Sequence, residues 1–165
     1  MDYNIRLATE EDIEDIAKLY IKSWNRTYLG LLPQEYLDSL TLEKVRKRWS
    51  DYIKEERHGI FVATEKDELL GFGAFCPYHR VEDCIYVESL HVDEKHHRKG
   101  IGSALIKEIY SVGEREKYAK MAVCLVKGND NARSLYIKMG ASHYTDKVDT
   151  FTGEITYSEI LTWNY

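Results

Sequence analysis

Two glycines separated by one residue follow a pair of basic side chains in the stretch HHRKGIGSAL, residues 96–105. An apolar run with helical spacing follows, so Gly100 and Gly102 lie where a helix begins. The first backbone N–H groups of a helix have no partner inside it and carry the positive end of its dipole. Because glycine leaves these groups uncovered, and Arg98 and Lys99 add positive charge, the stretch predicts a cradle for a phosphate group.

Two well-known phosphate-binding motifs do not fit the glycine pair. A P-loop needs the pattern G-x-x-x-x-G-K-[ST], which the stretch does not contain. A dinucleotide-binding fingerprint needs a third small residue where Leu105 stands, and it normally follows the first strand of its fold. A flexible start to the helix, without any ligand, remains the simplest alternative.

The surrounding segments predict an α/β fold in one domain, residues 1–165. Their order is strand, two helical segments, three strands, helix, strand, helix and two strands. Three consecutive strands favour antiparallel pairing, whereas a strand–helix–strand segment favours one parallel crossover. We therefore expect a mixed, mostly antiparallel, twisted sheet of about seven strands flanked by helices.

Individual residues predict where the helices begin and end. Thr9, with an acidic residue three positions later, and Thr41 are candidate N-caps. The helix after the glycine pair is expected to begin near Ser103. Gly59 and Gly140 are expected to end the helical regions that precede them.

Composition and charge exclude some classes of function. The formal net charge of -5 argues against nucleic-acid binding, because such proteins usually carry a basic face. The longest apolar runs are too short to span a bilayer, and the acidic N-terminal segment is unlike a signal peptide, so a cytoplasmic protein without membrane contact is expected. The cysteines (Cys76, Cys84 and Cys124) form no C-x-x-C pair and are interpreted as small apolar residues, and no metal site is expected.

A resemblance to a known family appears in the segment IYVESLHVDEKHHRKGIGSALI, which contains the glycine pair. The segment closely resembles the acyl-CoA signature of the GNAT superfamily of N-acetyltransferases. In that family a bulged strand leads into [Q/R]-x-x-G-x-[G/A], whose amides hold the coenzyme A pyrophosphate. Gly100 and Gly102 match the two small positions. His97 stands where Gln or Arg is usual, and we expect it to alter coenzyme affinity or its pH dependence.

A second segment, NDNARSLYIKMGA, resembles the family's pattern N-x-x-A-x-x-x-Y-x-K-x-G. Asn129, Ala132, Tyr136, Lys138 and Gly140 are in register with it. The two segments occur in the family's order with a helix and a strand between them. The resemblance covers essentially the whole chain and is weakest between residues 20 and 60 and in the final hairpin.

The resemblance implies an enzyme that transfers the acetyl group of acetyl-CoA directly to an amine. It implies that Tyr136 is the general acid for the leaving thiolate and that Asn129 contacts the coenzyme. Glu88 is our candidate for the general base, with His91 as a weaker alternative. The implied coenzyme contacts on the strand and loop are Leu90, His91, Val92, His97, Arg98, Lys99, Gly100, Ile101, Gly102 and Ser103.

Several of these residues can also have purely structural roles. Leu90 and Val92 can pack in the core while their backbone binds the coenzyme. Tyr136 can be a half-buried helix aromatic, and Asn129 can cap that helix. Glu88 can be a strand carboxylate that faces solvent.

The acceptor is the least defined part of the implied reaction. Trp24 and Tyr28 are candidate substrate-binding residues because the resemblance places them near the acceptor site, although packing is the favoured role for Trp24 and the role of Tyr28 is left open. A primary amine of a small molecule (a polyamine, amino sugar or amino acid) is expected. The alternatives are a protein N-terminus or lysine, a non-catalytic acyl-CoA sensor, and a phosphate-binding module. A homodimer is also a family-level expectation.

Overall fold

The structure, a computed structural model, describes residues 2–165 and contains one seven-stranded sheet in the order β1-β2-β3-β4-β5-β7-β6. Strands β4 and β5 are parallel, and the other neighbouring pairs are antiparallel, which confirms the predicted fold class. The strands are β1 Asn4–Leu7, β2 Gly59–Glu65, β3 Glu68–Pro77, β4 Cys84–Val92, β5 Lys120–Val126, β6 Ser142–Phe151 and β7 Glu154–Asn164. The helices are α1 Ile13–Thr27, α2 Gln34–Asp38, α3 Leu42–Tyr52, α4 Ile101–Arg115 and α5 Asp130–Lys138.

Helices cover both faces of the sheet. Alternation along β3 shows this arrangement, because successive side chains of a strand point to opposite faces. Phe72 and Ala74 lie in the core beneath α1 and α3. Between them, a Cβ atom at Gly73 would contact Ile109 and Leu105 of α4. Helix α5 joins α4 on that second face, where Tyr136 and other residues of both helices share a core with β5 and β7.

A β-bulge in β4 separates it from β5. Ala74 of β3 pairs with Ser89, but the next residue of β3 pairs with Val87, so Glu88 is the extra residue. The parallel pairing of β4 with β5 ends at Val87 and Val123. Beyond that point β5 continues beside β7 only, and a gap opens between the second half of β4 and the end of β5.

Most predicted helix boundaries are confirmed. Thr9 and its acidic partner form the capping box, the Thr41 hydroxyl accepts a hydrogen bond from the N–H of Lys44 at 3.4 Å, and Gly140 follows α5 with a φ of 100°. The start predicted near Ser103 lies at Ile101, since the left-handed Gly100 already permits the helix to begin. None of the helices within residues 2–165 has the length and apolar character needed to cross a membrane.

Gly59 does not end a helix, contrary to the prediction. Helix α3 already ends at Tyr52, turns follow, and Gly59 is the first residue of β2. A Cβ atom at this position would lie only 2.3 Å from the ring of Phe75. Glycine is therefore required here by the close approach of an aromatic ring rather than by a helix end.

Candidate active site

The loop between β4 and α4 presents backbone amides that precede the helix's own hydrogen bonds. Arg98 and Gly100 have φ values of 59° and 80°, so the chain turns sharply before the helix. The first hydrogen bond of α4 runs from the N–H of Ala104 to the carbonyl of Gly100 at 3.0 Å. The N–H groups of Ile101, Gly102 and Ser103 precede it, at the positive end of a helix of 15 residues. This end of α4 can bind an anion.

Gly100 and Gly102 differ in their backbone conformation and in their surroundings. Gly100 adopts a left-handed backbone, and a Cβ atom added to it would have no other atom within 4 Å, so its requirement is conformational. Gly102 has an ordinary helical backbone, and a Cβ there would lie 3.5 Å from Leu135 of α5 and 3.8 Å from Val92 of β4. The fold tolerates such contacts. A side chain at position 102 would therefore contact residues of β4 and α5 beside the free amides.

His97 ties this loop to the sheet. Its Nε2 atom lies 2.8 Å from the carbonyl oxygen of Val92, the last residue of β4, and donates to it when the proton is on that nitrogen. Arg98 and Lys99 are exposed beside it. The unusual histidine of the signature thus contacts the strand end, and the two basic side chains are free to meet an anion.

The residues of β4 after the bulge divide between the two faces of the sheet. Leu90 and Val92 pack beside Ile101 and Leu105 of α4. His91 points to the other face, so the side chains of all three are occupied in packing. Because β3 pairs with only one edge of β4, the backbone at the other edge faces the gap toward β5.

His91 is enclosed by α1 and its neighbours. Its Nδ1 lies 2.7 Å from the Ser23 hydroxyl, and its ring centroid is 5.4 Å from that of Tyr20 and 5.5 Å from that of Phe72. Burial lowers the pKa of His91 to about 3, with a smaller contribution from the positive charge of Arg48. The imidazole is therefore neutral near pH 7, and its burial speaks against the alternative that it is the general base.

Tyr136 is buried on α5 and faces the core of β5 and β7. It is 5% exposed, and its ring meets that of Trp163 edge to face at 5.8 Å between centroids. The indole N–H of Trp163 donates to the carbonyl of Met139 at 3.1 Å, which fixes the end of α5 against β7. Burial, with a smaller effect of the nearby Tyr28 phenol, raises the pKa of Tyr136 above its usual value. The phenol consequently keeps its proton at neutral pH.

Asn129 begins α5, but its side chain does not cap the helix. It contacts the phenol of Tyr28 and partly offsets the burial that raises the pKa of Tyr28 to about 12. The capping role considered for Asn129 is therefore wrong. The residue instead connects the start of α5 with the end of α1.

Glu88, the extra residue of the bulge, forms an ion pair with Arg48 of α3. The Oε1 atom of Glu88 is 2.9 Å from Nη2 of Arg48, whose Nη1 donates to the Tyr20 hydroxyl at 2.6 Å. The guanidinium also lies 4.8 Å from the ring centroid of Trp49. Glu88 is thus held by a partner rather than facing solvent freely. No sequence pattern indicated Arg48, because the pair joins residues 40 positions apart.

Comparison with known proteins agrees with this geometry. A sequence model of the family described as "Acetyltransferase (GNAT) family" matches residues 13–141, which include the bulged strand, the loop and Tyr136. The chain belongs to the GNAT acetyltransferase family. It is therefore an N-acetyltransferase of GNAT type, which confirms the predicted family and enzyme class.

Two relatives and one solved structure illustrate the similarity. An uncharacterized N-acetyltransferase, YuaI of Bacillus subtilis, is 30% identical over 128 residues, which are 76% of this chain and 72% of that protein. The spermidine N(1)-acetyltransferase of Thermoplasma acidophilum is 24% identical over 149 residues, covering 85% and 88%. The PaiA N-acetyltransferase of T. acidophilum, solved in complex with coenzyme A, superposes with a TM-score of 0.80 at 20% identity over 100% of both chains.

Aromatic residues of this acetyltransferase form a cluster that begins at Tyr28 and reaches the β6–β7 hairpin. The Trp24 ring centroid is 4.5 Å from that of Tyr28 and 6.0 Å from that of Tyr36, which in turn is 4.7 Å from Phe151. We call these four residues the aromatic cluster. The indole N–H of Trp24 is buried without a hydrogen-bond partner in the described structure. Sequence reasoning identified Trp24 and Tyr28 but missed Tyr36 and Phe151, which meet only when the hairpin packs against α2.

The aromatic cluster lies near both candidate catalytic side chains. The Tyr28 phenol is near enough to Tyr136 to contribute to the rise in its pKa. At its other side Trp24 is 5.2 Å from the ring of Tyr20, which accepts the hydrogen bond from Arg48, the partner of Glu88. Contacts thus run from Trp24 through Tyr20 and Arg48 to Glu88, the bulge residue of β4.

Proposed function

We propose that this acetyltransferase uses acetyl-CoA as donor and transfers the acetyl group directly to the primary amine of a small molecule. The observation that carries the proposal is the combination of three features: free amides at the start of α4, the exposed charges of Arg98 and Lys99 beside them, and the gap that opens between β4 and β5 after Val87. The solved relatives that contain coenzyme A or acetyl-CoA support this choice of donor.

In this proposal, the loop and the strand hold the donor at opposite ends. The amides of residues 100–103 bind the pyrophosphate, assisted by the charges of Arg98 and Lys99. The free backbone edge of β4 pairs with the pantetheine arm, as a neighbouring strand would. An N–H group near Leu90, His91 or Val92 faces the thioester oxygen and stabilises the negative charge that develops on it during transfer.

Two side chains move the protons. Glu88 accepts a proton from the acceptor ammonium, directly or through water, so that the neutral amine attacks the acetyl carbon. A carbon–nitrogen bond forms as the carbon–sulfur bond breaks. The acylated nitrogen releases its second proton to water as Tyr136 donates its own proton to the departing thiolate. The phenol then regains a proton from that water, and Glu88 releases the first proton to solvent. Asn129 orients the donor near the same point.

A small-molecule acceptor is supported by the relative named as a spermidine acetyltransferase, although its identity to this chain is only 24%. The test is incubation of the purified protein with acetyl-CoA and a panel of small amines, with mass spectrometry of the products. We expect an acetylated amine and one equivalent of free coenzyme A, and neither product without an amine. Binding of acetyl-CoA without acetylation of any amine in the panel would contradict the proposal.

A further inference from the structure

Resting on the proposed function, we infer that the acceptor is a monoamine that carries an aromatic or other flat apolar group, rather than a polyamine. We further infer that Arg48 sets this preference by neutralising Glu88. The inference is drawn from the rings and the charges that surround the candidate acceptor site.

The aromatic cluster offers exposed ring surface. Trp24, Tyr28, Tyr36 and Phe151 are each only partly buried, although they contact one another. A flat apolar group can therefore stack on or against their rings and remove this surface from water. These features favour a flat acceptor.

The rings alone do not distinguish an aromatic monoamine from a polyamine, because aromatic faces also attract cations. The charge state of the nearby carboxylates distinguishes these two classes of acceptor. The charge of Glu88 is matched by Arg48 at 2.9 Å, so the ion pair has no net charge. Asp149 of β6, close to Phe151 in the sequence, is paired with Lys147 at 3.0 Å, and both side chains are partly buried. Both of these carboxylates thus already have cationic partners.

An acceptor with several ammonium groups needs unpaired carboxylates at matching distances. Even after one nitrogen loses its proton for the attack, a polyamine keeps at least one further positive charge, whose removal from water requires a partner. A monoamine becomes neutral when it loses that proton. Its aromatic group then needs only ring surface, which the aromatic cluster supplies.

Arg48 is placed to enforce this difference as a positioning residue. Its guanidinium is held over the rings of Tyr20 and Trp49, at 5.2 Å and 4.8 Å from their centroids, and by the Tyr20 hydroxyl. These contacts hold the cation beside Glu88. Without it, Glu88 would present an unpaired negative charge to the acceptor.

The experiment compares kcat/KM for phenethylamine and tryptamine with that for putrescine and spermidine at one ionic strength. Since differences in apolar contacts discriminate by roughly 10- to 200-fold, we expect at least a tenfold preference for the arylalkylamines. Arg48→Met should shift the ratio toward spermidine at least tenfold. Arg46→Met is the matched control, because Arg46 lies on the same helix but pairs with Glu14 at the surface. The control ratio should stay as in the wild type.

Tyr36→Ala provides a second variant that leaves the ion pair intact. It should reduce kcat/KM for tryptamine at least tenfold more than for n-butylamine. A wild-type preference for spermidine would overturn the inference while leaving acetyl transfer established, and so would an unchanged ratio in a folded Arg48→Met variant. If no amine were acetylated, the proposed function itself would fail. If Arg48→Met does not fold, the wild-type ratio and the Tyr36→Ala result decide.

Discussion

Replacement of Gly102 by alanine should strengthen the fold and weaken coenzyme A binding. The added methyl would lie 3.5 Å from Leu135 and 3.8 Å from Val92, which are ordinary contacts, and the backbone at 102 is helical. Alanine in place of a helical glycine stabilises by up to about 1 kcal/mol. For a chain of this size that corresponds to a melting temperature about 1 to 4 °C higher.

The same methyl group would lie beside the free amides in the first turn of α4. If it costs the pyrophosphate one hydrogen bond to an amide, the loss is about 1.5–3 kcal/mol, because the acceptor is charged. At 1.4 kcal/mol for each factor of ten, the dissociation constant for coenzyme A should rise about 10- to 150-fold. Gly102→Val should weaken binding further.

Calorimetric titration with coenzyme A and thermal unfolding without ligand measure the two effects separately. Ser111→Ala is the control, because Ser111 lies on the same helix and its hydroxyl only donates to the carbonyl of Lys107 at 3.0 Å. It should leave coenzyme affinity unchanged. Gly100→Ala is unsuitable as a test of coenzyme binding, because alanine at the φ of 80° that Gly100 adopts would strain the backbone. Wild-type affinity in a folded Gly102→Val protein would refute the placement of the pyrophosphate at this helix end.

Three further outcomes are expected. Tyr136→Phe should lower kcat by roughly 10²–10⁴-fold in a steady-state assay without changing coenzyme A affinity. The control, Tyr110→Phe on α4, should change neither quantity. Full activity of Tyr136→Phe would show that another group is the general acid. Glu88→Gln should lower kcat at pH 7 by about 10²-fold. The control is Glu68→Gln, on the exposed part of β3, which should keep its activity. Equal losses of activity in the two variants would argue against Glu88 as the general base. His91 has a pKa of about 3 in the folded protein, well below its value of about 6.5 in the unfolded chain, so below pH 6.5 the unfolded chain binds a proton at His91 that the folded protein does not. Above pH 6.5 His91 is unprotonated in both states. In urea unfolding, the free energy of unfolding should therefore fall by up to about 1.4 kcal/mol per pH unit toward pH 3, and less steeply in His91→Gln.

The fold could be predicted because local patterns and chain order agree. Thr41 and Gly140 mark their helix boundaries through local chemistry, a hydroxyl cap and a left-handed turn, which depend on neighbours in the sequence. The prediction for Gly59 is wrong because the reason for this glycine is the ring of Phe75, which is distant in the chain. A glycine in a sequence shows that a side chain is absent, but not which atoms occupy the space.

The candidate site also has a part that the sequence predicts and a part that it does not. The coenzyme side consists of a loop, a helix start and a strand edge, so its residues are contiguous and carry a motif. The acceptor side is assembled from α1, α2, α3 and the hairpin, and its contacts join residues far apart in the chain. Arg48 with Glu88 and Tyr36 with Phe151 are such pairs, and no spacing in the sequence could reveal them.

A single extra residue in β4 connects the two sides. Because Glu88 has no partner on β3, the strand shifts its register there, and the pairing with β5 ends at the preceding residue, Val87. The shift frees the backbone edge that is proposed to hold the donor, and it places the Glu88 carboxylate at the mouth of the gap, within reach of Arg48. The geometry of donor binding and the position of the candidate base therefore have one structural cause, and a change to either should disturb the other.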